Sequence, residues 1–459
     1  MYIKQIYTPC LAEAAYYIES NGEVAIIDPL RDVDTYLELA NQRDAKIKYV
    51  FETHFHADFV SGHIDLSKKT GAEIVYGPTA EAEYEISVAK DMQTFNLGDI
   101  FIQLLHTPGH TMESSCFLLL DKFGKQHSVF TGDTLFVGDV GRPDLAVNSE
   151  ISREDLATHL YHSIKNKLLT LNDDVIVYPG HGAGSQCGKS LGKETQSTIG
   201  IQKKYNYALN VKSAEDFVSK VTEGLTAPPQ YFPKNAQINK NGYDSIDLVL
   251  AKSMNALTVE EFKKLIQNPK TIVIDSRNAV NFSKNHIKGS INIGLDGFFA
   301  VWVGTLIKDL KTPILLVCDK GMERETILRL ARVGYENVLG YLSNGIENWI
   351  TQNLSTEQLT CICPTEFINL REEKNIIDVR TDVEYNNGHV DESIHIPLAK
   401  LNENISLLNK KSTYYIYCKS GYRSAIASSF MINKGFSNII NIKKGYDGIV
   451  NKTCFCKNK

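Results

Sequence analysis

The sequence predicts a multidomain α/β protein: a sandwich of two sheets with helices outside, followed by two small α/β domains with mainly parallel sheets. Three observations lead to this prediction. The chain has 459 residues, enough for two to four domains, each with its own core. Strand and helix segments alternate through its first half, with polar loops after the strands. Its second half repeats itself at an interval of about 100 residues, which indicates a duplicated fold.

The composition is that of a globular protein and argues against several functional classes. Hydrophobic residues make up 43% of the chain, charged residues 22%, and the formal net charge is −5. This balance disfavours nucleic acid or an anionic membrane as the main partner. The N-terminal sequence lacks the layout of a signal peptide, and no run approaches the roughly 18 apolar residues of a membrane span. We expect a cytoplasmic protein whose nine cysteines are reduced.

The first half begins with a predicted β-hairpin. Residues 15–18 and 24–27 are apolar and flank Asn21 and Gly22, a pair typical of a two-residue hairpin turn. The domain that starts here is expected to cover residues 1–244, because turn-forming and linker-like residues follow from Pro228.

Potential metal ligands follow the apolar run 47–51. His54, His56 and Asp58 occupy alternate positions there, so a turn can direct them toward one metal ion. Three later strand ends each deliver a ligand near a turn, namely His110, Asp133 and His181. The convergence of four strand ends on His and Asp predicts a metal site. For the first motif taken alone, a strand with solvent-facing polar residues is the alternative interpretation.

This pattern resembles the metallo-β-lactamase superfamily, whose order of H-x-H-x-D-H, then H, D and H is matched except at one position. Dinuclear members carry a histidine directly after the aspartate of the motif, whereas this chain carries Phe59. A phenyl ring cannot coordinate a cation, so the second metal site is predicted to be weakened. His54, His110 and Asp133 then offer two histidines, one carboxylate and open positions, which suits a non-haem ferrous ion better than closed tetrahedral zinc.

The segments 52–63 and 138–144 resemble, more narrowly, the persulfide dioxygenases that carry rhodanese modules in the same chain. The resemblance implies one Fe(II) held by His54, His110 and Asp133, with His56 close by. Asp58 and His181 are expected to orient ligands or waters and remain possible ligands, as does His56. The expected reaction oxidises a low-molecular-weight thiol persulfide with O2 to sulfite and the free thiol. A homo-oligomer is expected by resemblance only.

Two cations are candidate substrate-binding residues. Arg142 and Lys189 are expected to hold the carboxylates of the thiol carrier. Lys189 lies in a segment that imitates a phosphate-binding loop, but Ala183 replaces its first glycine and no second aspartate-tipped strand is available to hold magnesium. We therefore prefer a turn that contacts an anionic thiol.

The remaining histidines of this half are interpreted as solvated surface residues: His63, His106, His127, His159 and His162.

The second half contains two copies of one module, predicted at 257–352 and 358–453. Asp275 and Arg277 of the first copy correspond to Asp378 and Arg380 of the second, at an offset of 103 residues. A cysteine follows an apolar strand in each copy. The shared order of strand, Asp-x-Arg, helix, strand and cysteine loop predicts two α/β domains.

The cysteine loop of the second copy runs from Cys418 to Ser424, between an apolar strand and a helix. Backbone N–H groups and the helix start can stabilise a thiolate or persulfide there, and Lys419 and Arg423 add positive charge. The loop resembles the C-x-x-G-x-R-S loop of rhodaneses, which move a sulfane sulfur through a cysteine persulfide. We expect Cys418 to be the nucleophile, with thiosulfate formed or used.

The first copy is expected to be catalytically weak. Glu323 occupies the position of the loop arginine, and carboxylates beside Cys318 raise a thiol pKa and repel anionic sulfur species. This copy is therefore expected to act mainly as a spacer or docking platform.

Two other functions stay open for the whole chain. One is a dinuclear zinc thioester hydrolase of the hydroxyacylglutathione type fused to sulfur-carrier modules, and the other is a non-enzymatic persulfide scaffold.

Overall fold

A computed structural model describes residues 1–147, 149–225, 227–370 and 375–451. The chain divides into two compact units, Met1–Leu248 with Ala331–Gly334 and Val249–Leu330 with Tyr335–Lys459. The predicted C-terminal boundary at 453 lies outside the described residues. Each helix in the described part of the chain is too short or too polar to cross a membrane.

The first unit contains two six-stranded sheets. The first sheet has the order β1-β2-β3-β4-β5-β6, and the second has the order β12-β11-β10-β9-β8-β7. The strands of the first sheet are β1 Tyr2–Thr8, β2 Glu13–Ser20, β3 Glu23–Ile27, β4 Lys46–Phe51, β5 Glu73–Tyr76 and β6 Ser87–Val88. The strands of the second are β7 Thr94–Leu97, β8 Ile100–His106, β9 Ser115–Leu120, β10 Gln126–Gly132, β11 Ile176–Pro179 and β12 Ser197–Thr198.

The predicted hairpin is confirmed. β2 and β3 pair antiparallel, with Ser20 opposite Glu23. The two turn residues, Asn21 and Gly22, both have positive φ values, 49° and 76°. Two successive residues with positive φ match the right-handed twist of the strands, which explains the Asn-Gly pair at this position.

The two sheets pack face to face, and helices cover both outer faces. Tyr16 and Phe51 of the first sheet share the central core with Phe117 and Phe130 of the second. One outer core joins the first sheet to α1 and α2, and another joins the second sheet to α3 and α5. Among the described residues, the α-helices of this part are α1 Asp34–Gln42, α2 His63–Thr70, α3 Arg153–Ser163, α4 Ile199–Tyr205, α5 Ala214–Thr222, α6 Phe232–Asn241 and α7 Ile246–Ser253, the last of which runs into the second unit. The predicted helix–sheet–sheet–helix sandwich is confirmed.

The second unit contains two five-stranded parallel sheets with the same strand order. The first sheet runs β13-β17-β16-β14-β15 and the second β18-β22-β21-β19-β20. The first sheet consists of β13 Ala256–Leu257, β14 Ile272–Asp275, β15 Ile291–Asn292, β16 Ile314–Val317 and β17 Val338–Leu342. The second consists of β18 Cys361–Ile362, β19 Asn375–Asp378, β20 Ile394–His395, β21 Thr413–Tyr417 and β22 Asn438–Ile442.

Helices connect these parallel strands in both copies, as parallel pairing requires. The helices of the first copy are α8 Val259–Ile266, α9 Ala279–Lys284, α10 Phe299–Leu306, α11 Glu323–Ala331 and α12 Gly345–Thr351. Those of the second are α13 Pro364–Asn369, α14 Asp382–Asn386, α15 Leu401–Asn404, α16 Tyr422–Asn433 and α17 Gly445–Val450. The matching orders confirm the predicted duplication.

Candidate metal centre and cysteine loops

The metal-ligand motif lies in the turn after β4, and a buried carboxylate holds that turn. Asp28 accepts hydrogen bonds from the backbone N–H of Thr53 at 2.7 Å and from its hydroxyl at 2.8 Å. The chain therefore leaves the strand in a fixed direction. His54, His56 and Asp58 are all buried.

Three of the predicted ligands come together at this edge of the sandwich. One ligand atom from each of His54, His110 and Asp133 lies within 4.8 Å of the other two. The Asp133 Oδ2 atom is 3.5 Å from Nε2 of His110 and 4.0 Å from Nε2 of His54. Each side chain comes from a different strand end, so the sandwich holds all three rigidly.

The second ring nitrogen of each histidine has its own partner. His110 Nδ1 lies 2.9 Å from the carbonyl oxygen of Arg142, to which it can donate, and His54 Nδ1 lies 3.0 Å from the Thr53 hydroxyl. These contacts leave both Nε2 atoms to face Asp133. Burial lowers the pKa of His54 well below its usual value, which favours the neutral, metal-binding form.

Both carboxylate oxygens of Asp133 are buried, with no hydrogen-bond partner among the described residues. A buried carboxylate without a partner is costly unless a cation neutralises it. The two imidazoles and the carboxylate therefore fit a divalent metal ion.

His56 belongs to a different group. Its Nε2 atom lies 3.1 Å from Asp28 Oδ1 and 3.5 Å from Glu52 Oε2, and it clusters with these carboxylates rather than with His54 and His110. Burial alone would lower the pKa of His56, but Asp28, Glu52 and Asp58 outweigh it and raise the pKa to about 10. The His56 ring also stacks on Phe59, with centroids 4.3 Å apart. A charged imidazole against an aromatic face is a stabilising arrangement.

Asp58 and His181 form a third group with Cys187, whose candidate ligand atoms also lie within 4.8 Å of one another. His181 Nε2 is 3.3 Å from Asp58 Oδ2 and 3.5 Å from Asp133 Oδ1. Burial raises the pKa of the Asp58 carboxyl, and burial with the nearby Asp58 and Asp133 raises that of the Cys187 thiol. This group adjoins the first one through Asp133.

Several buried groups around the centre escaped the sequence reasoning. The Glu13 carboxylate is 1% exposed, and burial raises its pKa well above the usual value. Asp28 and Glu52, which lie beside His56, were likewise not predicted as parts of the site. An acidic residue at the end of a buried strand, as Asp28 and Glu52 both are, was the signal available in the sequence.

The interpretation of His63 as a solvated residue is wrong. His63 is fully buried, with Nδ1 3.4 Å from Glu52 Oε1 and Nε2 2.7 Å from the Tyr84 hydroxyl. It is the first residue of α2, the helix that follows the turn with the metal-ligand motif. By contrast, His159 and His162 are exposed, as expected.

The two candidate substrate-binding cations have protein partners. Arg142 is buried and forms a bidentate ion pair with Asp144, at 2.6 and 2.7 Å. The Lys189 ammonium donates to the carbonyl oxygen of Glu223 at 2.6 Å. The backbone N–H groups of Lys189 and Ser190 both donate to Asp139. These contacts would have to break before either cation, or the loop amides, could hold a substrate carboxylate.

In the second copy, Cys418 lies at the end of β21, directly before the loop that leads into α16. The backbone N–H of Gly421 donates to its sulfur at 3.1 Å. Arg423 pairs with Glu384 through two hydrogen bonds of 2.7 Å, while Lys419 is exposed. Burial alone would raise the pKa of Glu384, but the Arg423 guanidinium outweighs it and lowers the pKa to about 2.

The corresponding loop of the first copy holds its cysteine differently. The Cys318 thiol donates to the Thr326 hydroxyl at 3.5 Å. Burial raises the pKa of Cys318 to about 11, although the Ser276 and Thr326 hydroxyls act in the opposite direction. Asp275 and Glu323 raise that pKa further. The thiol form therefore dominates at neutral pH.

Comparison with protein families agrees with this architecture. The model of the metallo-beta-lactamase superfamily matches residues 8–181, and that of the rhodanese-like domain matches 258–352 and 364–452. A hydroxyacylglutathione hydrolase of Haemophilus influenzae is 32% identical over 217 residues, covering 42% of this chain and 91% of that protein. The mitochondrial persulfide dioxygenase of Homo sapiens is 28% identical over 231 residues, covering 49% of this chain and 82% of that protein.

A solved structure extends the likeness beyond the first unit. The crystal structure of a metallo-beta-lactamase from Staphylococcus aureus subsp. aureus has a TM-score of 0.65 and 31% identity, covering 75% of this chain and 98% of that one. The matched 75% of this chain exceeds the share of the first unit alone, so the likeness continues into the second unit. The chain belongs to the metallo-β-lactamase superfamily and carries two rhodanese-like domains after its metallo-β-lactamase domain.

Proposed function

We propose that the first unit is a non-haem iron persulfide dioxygenase acting on a low-molecular-weight thiol persulfide. In the overall reaction, a persulfide RSSH, O2 and water give the free thiol RSH, sulfite and two protons. The cytoplasm is the proposed compartment and a homo-oligomer the proposed assembly. The sequence likeness to a persulfide dioxygenase supports this reaction. The chain is about as similar to hydroxyacylglutathione hydrolases, so thioester hydrolysis is the rival function to be tested.

The observation that carries the proposal is the separation of His56 from the other ligands. Phe59 stacks on His56, and Asp28 and Glu52 pair with it, so His54, His110 and Asp133 remain as a group of three. Two histidines and one carboxylate are the donor set of non-haem ferrous oxygenases. When bound there, a ferrous ion would supply open positions at which O2 reacts with a sulfur nucleophile.

The surrounding residues prepare the site for this chemistry. The Arg142 carbonyl and the Thr53 hydroxyl fix the ring orientations of His110 and His54. His56 lies next to His54, with ring centroids 4.2 Å apart, and its pairing with Asp28 and Glu52 holds it beside the proposed metal ligands. Asp58 and His181, hydrogen-bonding groups beside Asp133, can exchange protons with water or with the departing thiol.

We further propose that the second rhodanese-like domain transfers sulfane sulfur through Cys418. Attack of sulfite on the outer sulfur of a Cys418 persulfide would release thiosulfate and return the Cys418 thiolate. The Gly421 N–H can stabilise both sulfur anions, and Arg423 contributes positive charge beside them. Sulfite from the first unit is a suitable acceptor, and a shared chain raises its local concentration.

The test is metal analysis of protein purified without oxygen, combined with oxygen uptake on adding glutathione persulfide. We expect about one iron per chain and uptake that depends on it. Phe59→His, which restores a second-site ligand, should raise the capacity for zinc toward about two ions per chain. Two zinc ions in the unaltered protein, with cleavage of a glutathione thioester and no oxygen uptake, would refute the dioxygenase.

A dinuclear zinc thioester hydrolase is the second candidate. Two observations favour it: the 32% identity to a hydroxyacylglutathione hydrolase and the cluster of Asp58, His181 and Cys187 beside Asp133. A thiolate could there replace the imidazole that Phe59 removes. Cys187→Ser separates the candidates, because it should lower the zinc content of a hydrolase and leave the iron content of a dioxygenase unchanged.

A further inference from the structure

Helix α16, which follows the Cys418 loop, is buried along most of its length by contacts with the first rhodanese-like domain as well as its own. All eight residues from Ser424 to Met431 are buried. The Ser429 hydroxyl accepts a hydrogen bond from the backbone N–H of Asn292 at 2.9 Å, and Asn433 donates to the carbonyl oxygen of Gly289 at 2.7 Å. Asn292 belongs to β15, the edge strand of the first sheet. The helix therefore supplies a hydrogen-bond partner for a backbone N–H on the free side of that strand.

Tyr422 makes the contact nearest to the reactive cysteine. Its hydroxyl donates to the carbonyl oxygen of Gly294 at 2.8 Å, and its ring lies against Gly297. A Cβ atom at Gly297 would lie 2.6 Å from Cε1 and 2.8 Å from Cε2 of the ring. No side chain fits there, so the close approach of the Tyr422 ring requires glycine at this position.

Anchoring of Tyr422 bears directly on the sulfur of Cys418. Tyr422 follows Gly421, whose N–H donates to that sulfur, and it is the first residue of α16. On the other side of the loop, the Cys418 carbonyl accepts from the Tyr446 N–H at 2.7 Å, within the second copy. The second copy thus fixes the backbone before the loop, and the first copy fixes the backbone after it.

In the part of the chain that the structure describes, the loop of the first copy lacks an equivalent anchor. The residue that corresponds to Tyr422 is Met322, which is 37% exposed. The contact is therefore one-directional: the segment 294–297 of the weak copy supports the loop of the second copy. Because the Tyr422 hydroxyl already donates to a carbonyl, its proton is not placed for transfer to substrate.

We propose that Tyr422 is a positioning residue for Cys418 and that the segment 294–297 of the first rhodanese-like domain is the surface that holds it. This inference rests on the proposed sulfur transfer at Cys418. The first copy then contributes to the reaction without a working cysteine of its own, by keeping the Gly421 N–H directed at the sulfur.

The test uses the full chain and four variants. Tyr422→Phe removes the hydrogen bond to Gly294 and keeps the ring. Gly297→Ala places a methyl group against the ring. Tyr422→Met, alone and combined with Gly297→Ala, replaces the ring by the flexible side chain found at the corresponding position of the first copy. Tyr415→Phe is the matched control, because Tyr415 packs against Phe367 inside the second domain.

Two quantities are measured: the turnover of thiosulfate formation per Cys418 that can be loaded with sulfane sulfur, and the alkylation rate of Cys418 by iodoacetamide. We expect Tyr422→Phe to lower both about fivefold, the effect of one neutral hydrogen bond, with little change in the KM for sulfite. Gly297→Ala should lower both further. The double variant should be no worse than Tyr422→Met alone, because the clash disappears with the ring.

Alkylation distinguishes positioning from simple loss of stability. Cys418 is buried, so a loosened fold would expose it and speed its alkylation, whereas a misplaced Gly421 N–H stabilises the thiolate less and slows it. Cys318, which is also buried, serves as an internal reference for the integrity of the first copy. Faster alkylation in Tyr422→Phe would overturn the proposal, as would unchanged alkylation and turnover.

Failure of the proposed function gives a different result. If Cys418→Ser retained full sulfur transfer, the function assigned to Cys418 would be wrong. Alkylation of Cys418 in the Tyr422 and Gly297 variants would still report whether Tyr422 positions this cysteine. An effect of Gly297→Ala that persisted undiminished with Met at position 422 would show that the clash acts elsewhere. That result too would overturn the positioning role.

Discussion

The two rhodanese-like domains share one backbone frame and differ in the chemistry of one loop. In both, the arginine of the Asp-x-Arg motif is buried against its aspartate, with a closest distance of 2.6 Å in Arg277–Asp275 and in Arg380–Asp378. Each domain also stacks a histidine on an aromatic ring, His286 on Phe282 and His389 on Tyr385. Both contacts recur in the two copies, so they belong to the frame that the copies share.

The difference lies in two coupled positions. In the second copy, Glu384 pairs with Arg423, and Glu384 also helps to cap α14 through Thr381. The corresponding residues of the first copy are Asn281 and Glu323. Both members of the ion pair are therefore absent there, and a carboxylate replaces the cation. The first copy keeps the same architecture without the pair, so the fold does not require it, and the pair can serve the sulfur transfer proposed for the Cys418 loop.

The largest expected effect separates the two cysteines. Cys418→Ser should lower sulfur transfer by at least about a thousandfold, since a hydroxyl cannot carry the sulfane sulfur. Cys318→Ser should leave the rate within about twofold, because burial keeps the Cys318 thiol protonated at neutral pH. The measurement is thiosulfate formation from persulfide and sulfite, with sulfite production by the first unit followed in parallel. Equal losses in the two variants would remove the distinction between the copies.

The next effect concerns the loop cation. Arg423→Met should lower kcat/KM for sulfur transfer about 10- to 100-fold, corresponding to about 1.5–3 kcal/mol for a charge-assisted interaction beside the sulfur. Glu323→Gln in the first copy is the matched change at the corresponding position and should have no effect on that rate. Steady-state kinetics with the full chain decide the point. A fall of similar size in Glu323→Gln would mean that the first loop takes part directly.

Glu384 should also make stability depend on pH. Its folded pKa of about 2 lies below its usual value, so its contribution is complete above about pH 4.5 and is lost as the pH falls toward 2. Allowing for solvent screening, Glu384→Gln should cost about 1–2 kcal/mol at pH 7. Scanning calorimetry at pH 7, 4 and 2.5 should show the difference from the unaltered chain shrinking in that order. Asn281→Gln is the control, and a constant difference across the series would contradict the role of the ion pair.

The smallest effect would come from rebuilding the pair in the first copy. Glu323→Arg replaces the carboxylate near Cys318 by a cation, and Asn281→Glu adds the carboxylate that pairs with it. The local charge becomes more positive, so the pKa of Cys318 should fall from about 11. We expect alkylation of Cys318 at pH 8 to rise several-fold, measured by mass spectrometry, with Cys418 as the reference. The increase should stay modest, because burial, the main cause of the raised pKa, remains. Unchanged alkylation would show that burial alone controls this thiol.

The sequence predicted those features that depend on local patterns. Strand ends and turns located His54, His110 and Asp133, and the positive φ values of Asn21 and Gly22 follow from the residues themselves. The duplicated Asp-x-Arg motifs predicted the parallel domains. Each of these signals is contained in a short stretch of chain, where periodicity and turn chemistry have direct physical causes.

The features that escaped prediction are contacts between distant stretches. The pairing of His56 with Asp28 joins residues 28 positions apart, and the approach of Tyr422 to Gly297 joins residues 125 positions apart. His63 was taken for a surface residue because its buried partners, Glu52 and Tyr84, come from other elements. The Arg142–Asp144 ion pair could have been predicted from the sequence, since its members are only two positions apart.

The short edge strand β15 has a consequence for how this protein can be divided. Its Asn292 N–H is satisfied by Ser429 of α16, and that helix buries apolar side chains such as Ala425 against Phe282. Cutting the chain between the two rhodanese-like domains would bare an apolar helix face on one fragment and an unpaired strand edge on the other, both of which promote aggregation. Within the second unit, the two domains are therefore better expressed together than apart.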